Sequence, residues 1–158
     1  MERRKRQRLA GFDYAQTGTY FITVNTADRA CLFGQIAQGT MQLNTFGEAV
    51  AGCWRDLPRA MPAIVLHEWV LMPNHFHGLV TLEATGKHSL PDVVRTFKSV
   101  STRVANQVRN TVGSTLWHRS DYDQIVRNET DLDRIRQYIV DNPAKWDQDE
   151  NNPVRWQA

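Results

Sequence analysis

The chain has 158 residues, 41% of them hydrophobic and 23% charged, with a formal net charge of +2 at pH 7. That length suits one domain with a real core and is short for two. The composition is that of a soluble globular protein, no apolar run reaches the length of a membrane span, and so small a net charge says little about partners.

Taken in chain order, Met1 to Arg8 carries five basic side chains and one acid, with no apolar segment behind them. It is therefore not a secretory signal, and the expected location is cytoplasmic. Thr19 to Asn25 is rich in β-branched and aromatic residues and predicts a strand. Cys31 to Ala37 and Thr40 to Leu43, joined at Gln38-Gly39, predict a hairpin. Cys31 and Cys53 have no CxxC spacing and make no zinc or redox motif. Asn44-Thr45 caps a helix that runs through Ala49, Val50 and Trp54 and ends near Pro58.

An apolar run from Ile64 to Leu71 predicts a strand, Met72-Pro73-Asn74 a tight turn, and His75 to Leu82 the returning strand. Glu83 to Ser89 reads as a loop. Ser89-Leu90-Pro91-Asp92 opens a helix, capped at Ser89 or Leu90, with Val93, Val94, Phe97, Val100 and Val104 at helical spacing. Leu116 to Val126 reads as a strand or an extended segment. Asn128-Glu129-Thr130-Asp131 starts a final helix, with Thr130 the expected N-cap and Asp133 at N3. It stops at Asn142-Pro143, and the tail from Ala144 to Ala158 packs loosely or docks on the body. The core order is β-α-β-β-α-β. It predicts an α+β, ferredoxin-like antiparallel sheet with helices on one face and one domain over 1–158, with an arm (1–10) and a tail (144–158).

The chemistry concentrates in His75-Phe76-His77. Side chains alternate along a strand, so the two imidazoles share one face, roughly 7 Å apart by strand rise, while Phe76 points to the other. Two imidazoles are half of a metal site. On the final helix Tyr138 and Asn142 are four residues apart and lie on one face, with Arg134 one turn back. Asn142 Oδ1 is a candidate third ligand to a divalent ion that polarises a phosphodiester, with Tyr138 as nucleophile. Each piece also has an ordinary reading: a structural His-x-His, a boundary tyrosine with its ring packed, and an asparagine that ends a helix.

Several stretches taken together resemble the HUH single-tyrosine transposases, and most closely the REP-associated tyrosine transposases. They are Gly11-Phe12-Asp13-Tyr14, Tyr20-Phe21-Ile22-Thr23, Cys31-Leu32-Phe33-Gly34, Leu43-Asn44-Thr45-Phe46-Gly47, Met72-Pro73-Asn74-His75-Phe76-His77, Phe97-Lys98-Ser99, Ile125-Val126-Arg127-Asn128-Glu129, and Ile135 through Trp146. The resemblance covers nearly the whole chain. It implies a nuclease and strand transferase that cuts single-stranded DNA beside an imperfect, REP-like hairpin. The cut leaves a 5′-phosphotyrosine and a free 3′-hydroxyl, and reverse attack rejoins strands. By motif match, His75, His77 and Asn142 hold Mg²⁺ or Mn²⁺, and Tyr138, on the C-terminal helix, is the nucleophile. Imidazole alone suits zinc equally well.

A DNA-contacting arm of Arg3, Arg4, Lys5, Arg6 and Arg8 is implied as well. Arg95 and Lys98 are candidate phosphate contacts, and Trp117, Arg119 and Tyr122 candidate base contacts. The ordinary reading of the last three is a packed tryptophan with polar neighbours. His118 stands where the family often has glutamine, His67 where it is often acidic. The expected protein works at the nucleoid, has no membrane partner, and is a monomer, although some relatives exchange the tyrosine helix between two chains. Two other readings remain open: an idle DNA-binding repressor of the same fold, and a metal-dependent hydrolase that uses activated water.

Overall fold

The structure, a computed structural model, describes residues 18–83 and 88–156. The basic arm, with Arg3, Arg4, Lys5, Arg6 and Arg8, lies outside the described residues. Six strands and four helices follow in order: β1 (Gly18–Thr26), β2 (Gly34–Ala37), β3 (Thr40–Leu43), α1 (Thr45–Arg55), α2 (Leu57–Ala60), β4 (Ile64–Met72), β5 (His75–Leu82), α3 (Leu90–Val108), β6 (Trp117–Ile125) and α4 (Glu129–Asp141). Short 3-10 turns cover Pro143–Gln148 and Pro153–Trp156. No helix among the described residues is long and apolar enough to cross a membrane.

The main sheet has the order β4-β5-β1-β6, and every pairing is antiparallel. This is the strand order that a β-α-β-β-α-β chain reaches when the helical connections carry β1 to β4 and β5 to β6. The β2-β3 hairpin forms its own small sheet, turning at Gln38 and Gly39, both with positive φ, as a two-residue hairpin turn requires.

Two apolar layers sandwich the sheet. Tyr20, Ile22 and Val24 of β1, with Phe76 and Val80 of β5, face the main core beside Trp54 of α1 and Phe97 of α3. Phe21 and Leu79 alternate with them and meet Ile135 and Ile139 of α4 in a second cluster. So α1 and α3 share one face, as expected, and α4 occupies the other. Phe76 is fully buried, with ring centroids 4.6 Å from Trp54 and 5.0 Å from Phe97. That burial contributes about 1.5–3 kcal/mol and pins the strand whose alternate residues are the histidines.

Gly78 is required by the same packing. A Cβ there would lie 2.8 Å from two atoms of the Phe76 ring and 3.0 Å from Trp54, and neither buried ring has room to retreat. Gly78→Ala should destabilise the protein by about 1–3 kcal/mol, read as a lowered denaturant midpoint; an unchanged midpoint would show that the rings yield.

Helix starts follow local chemistry. Ser89 caps α3 in a reciprocal box with Asp92. The hydrogen bond from Ser89 N–H holds the Asp92 carboxyl below its ordinary range, so this cap stays intact until pH falls through that lowered value. At α4 the cap is Asn128, whose Oδ1 accepts from Asp131 N–H at 2.8 Å. It is not Thr130, and the helix therefore starts earlier than expected. Both residue types accept such bonds; here the asparagine comes first after the strand and closes the turn.

Candidate active site

His75 and His77 sit on the α4 face of β5, in the layer of Phe21 and Leu79. Strand alternation places them together, and their ring centroids are 4.7 Å apart. Both are fully buried or nearly so. Across the ladder His77 pairs with Thr23 of β1, and Thr23 Oγ1 lies 2.8 Å from His77 Nδ1.

His75 Nδ1 lies 2.9 Å from Asn74 Oδ1. The Asn74 amide nitrogen donates to Arg29 O at 3.1 Å and to Asn151 O at 2.7 Å. Those two acceptors fix which end of the amide faces His75. Oδ1 can only accept, so His75 carries a proton on Nδ1, and the neutral imidazole then presents its Nε2 lone pair. An imidazole with its far nitrogen held by an oxygen partner is the arrangement of a metal ligand.

The other wall is α4. Leu132, Ile135 and Ile139 face the sheet. The Tyr138 ring stands 5.3 Å from His77 and 6.1 Å from Phe21, edge-on to both. Phe21 also stacks on His77 at 5.3 Å and meets Tyr122 at 6.3 Å, so one phenyl ring supports three aromatic neighbours. Tyr138 is 46% exposed, so part of the residue is reachable from solvent.

Asn142 follows α4 one turn after Tyr138 and is 4% exposed. Its Oδ1 is buried with no hydrogen-bond partner among the described residues. Four residues on, Trp146 stacks on His75 with centroids 6.1 Å apart. Asn142 is thus bracketed by one contact to His77 and one to His75. A buried amide oxygen left unsatisfied costs about 1–3 kcal/mol, and a cation would remove that cost. Among the described residues no three His, Cys, Asp or Glu side chains already meet as a metal site, and the Asn142 amide oxygen is a candidate donor beside the two imidazoles. Two imidazoles and this oxygen fit a divalent ion by donor chemistry.

The remaining candidates divide. Tyr122 is half-buried, beside Phe21 on the active face. Arg119 is exposed. Trp117 belongs to the main core, and its indole N–H donates to Ser101 Oγ at 2.8 Å. It is 4% exposed, so its ring offers no face for a base to stack on in this conformation. Lys98 ties α3 to β6 through His118 O at 2.9 Å and Asp121 at 3.6 Å; Arg95 is exposed and paired with Asp92. Both line a groove of about 1060 Å³ along α3, with Arg103, Asn106 and Asp121. That groove is away from the histidines. His67 Nε2 lies 2.7 Å from Thr81 Oγ1. His118 is exposed, and its Nδ1 accepts from Ser120 N–H.

Thr23, Asn74, Trp146 and Asp149 also belong to the site, although the sequence reading assigned them no role there. Asn74 and Trp146 lie inside stretches that carry the family resemblance, which was the available cue. Thr23 also lies in such a stretch, and its pairing with His77 follows from strand register.

The sequence pattern of the family described as IS200-like transposases matches residues 59–142, the span from α2 through both histidines to Tyr138 and Asn142. The chain belongs to the IS200-like transposase family. Its work is accordingly DNA processing of the transposase kind. It is 34% identical to an uncharacterized protein of Haemophilus influenzae over 93% of this chain and 92% of that one. In fold it is similar to a REP-associated tyrosine transposase solved bound to a REP hairpin, with TM-score 0.63 and 21% identity over 89% of this chain and 73% of that one. A putative transposase of Deinococcus radiodurans is similar with TM-score 0.54 and 22% identity, over 85% and 96%. The family member described here thus has the α+β transposase fold, with its histidine strand and its tyrosine helix in one chain.

Proposed function

We propose that this transposase is of the REP-associated kind. It cuts and rejoins single-stranded DNA beside an imperfect hairpin through a covalent 5′-phosphotyrosine on Tyr138. The observation that carries the reading is the Tyr138 ring over His77, with the buried Asn142 oxygen one turn away.

Tyr138 Oη attacks the scissile phosphorus. A P–O bond to tyrosine forms, and the bond to the 3′ oxygen breaks. The phenolic proton leaves to solvent through the exposed side of the ring, and the departing 3′ oxygen takes up a proton. The phosphodiester energy is kept in the phosphotyrosine, so a 3′-hydroxyl rejoins the strand by the reverse attack without ATP. Phe21 and His77 limit the tilt of the Tyr138 ring, which restricts it to an in-line approach. His75, His77 and Asn142 would hold Mg²⁺ or Mn²⁺, which when bound supplies Lewis-acid stabilisation of the phosphate and leaving oxygens.

The packing of α4 on its own sheet supports a reading in which the tyrosine serves the histidines of the same chain and the protein works as a monomer. The basic arm, Arg119 and, in the groove away from the histidines, Arg95 and Lys98 would contact DNA phosphates, with Tyr122 beside the unpaired bases. The hairpin partner is inferred from the resemblance and from the ligand of the similar solved structure.

The test is to incubate labelled hairpin-bearing single-stranded DNA with the protein and Mg²⁺ or Mn²⁺. A denaturation-resistant adduct is expected with wild type. Tyr138→Phe should lower adduct and cleavage by at least about 10³-fold, as loss of a nucleophile does. Cleavage that persists in Tyr138→Phe would replace this mechanism by hydrolysis through water. Binding without cleavage under either metal would leave only a DNA-binding role.

A further inference from the structure

Asp149 lies in the tail, outside the family match, and its side chain is only 9% exposed. Its Oδ2 stands 3.7 Å from His75 Nε2, and its Oδ1 accepts from Asn151 N–H at 2.8 Å. The segment is fastened on both sides of the carboxylate. Trp146 stacks on His75, Asn151 O receives the Asn74 amide, and Asn152 Nδ2 donates to Trp146 O at 3.0 Å.

The 3.7 Å separation is too long for a hydrogen bond. With a proton on Nδ1 facing Asn74, a neutral His75 turns its Nε2 lone pair toward this carboxylate oxygen. A carboxylate and a lone pair held at that distance in a buried site call for a positive charge, which a divalent ion supplies as well as a second imidazole proton does. Two donor atoms each about 2.1 Å from one ion are about 3.0–3.6 Å apart at the usual ligand angles. The observed gap is close to that spacing, and the partnerless Asn142 oxygen lies on the same stretch of chain.

We infer that Asp149 is a fourth protein ligand of the divalent ion, a carboxylate that the C-terminal tail adds to His75, His77 and Asn142. The inference rests on the metal-site reading above. His75, His77 and Asp149 do not already meet at one point, so ion binding includes a small rotation of the carboxylate toward His75. The charged oxygen moves the donor set from imidazole-only preferences toward hard divalent ions such as Mn²⁺ and Mg²⁺. The tail is then part of the metal centre.

The test is Mn²⁺ titration of the full-length, DNA-free protein by calorimetry. Asp149→Asn keeps an oxygen for Asn151 N–H and changes only the charge. It should weaken Mn²⁺ binding by about 100-fold or more, beyond the roughly 10- to 100-fold that loss of an outer-shell partner costs, while His77→Ala abolishes it. Each variant is also read by its own Mn²⁺-induced rise in melting temperature, which separates a lost ligand from a lost fold. Wild-type affinity in Asp149→Asn, with weak binding only in Asp149→Ala, would overturn the inference and make Asp149 a structural clamp. Loss of binding in His77→Ala but not in Asp149→Asn would sink the inference alone. A wild-type protein that takes up no Mn²⁺ would remove the metal-site reading with it.

Discussion

His77→Ala is expected to lower DNA cleavage by about 10³-fold, equivalent to the several kcal/mol that metal assistance contributes to phosphoryl chemistry. His77 stands between three groups: Thr23 at Nδ1, Phe21 stacked on one side and Tyr138 edge-on. Its loss removes a ligand and also a support of the tyrosine ring. Thr23→Val separates those roles. It keeps the imidazole and the ring stack but deletes the oxygen on Nδ1, and should cost about 10- to 100-fold in metal affinity with little change in hairpin binding. Equal cleavage by His77→Ala and wild type would exclude the histidine pair from the reaction.

Asn74→Ala is the largest stability change expected outside the core. One buried amide donates to Arg29 O and Asn151 O and accepts from His75. Truncation deletes three hydrogen bonds and leaves the Arg29 and Asn151 carbonyls without that donor, at about 2–4 kcal/mol in all. For a chain of this length the melting temperature should fall by roughly 5–15 °C. His75 would also lose the oxygen that fixes its tautomer, so Mn²⁺ binding should weaken alongside. A melting curve like that of wild type would mean that the tail is not held through Asn74.

Much of this was legible in the sequence because local rules govern it. The period of two from His75 to Leu82 put both imidazoles on one face and Phe76 on the other. The four-residue spacing of Tyr138 and Asn142 put both on one face of α4. Long-range choices were not legible. Nothing in the pattern of α4 says which face of the sheet it takes, since an apolar stripe fits either. Trp117 reads equally as a stacking platform or as core until Ser101, sixteen residues earlier, is seen to take its N–H. The tail offered two tryptophans and several polar residues. Its docking depends on the Asn74–Asn151 hydrogen bond across 77 positions, which no periodicity encodes.

The central claim is that Tyr138 becomes covalently joined to the 5′ end of the cut strand. The direct measurement is to trap the adduct with Mn²⁺ and hairpin-bearing single-stranded DNA, digest with nuclease and trypsin, and sequence the modified peptide by mass spectrometry. A residual 5′-nucleotide is expected on the peptide spanning Gln137 to Lys145, at Tyr138. Modification of another residue, or cut DNA with a free 5′-phosphate and no modified peptide, would contradict it.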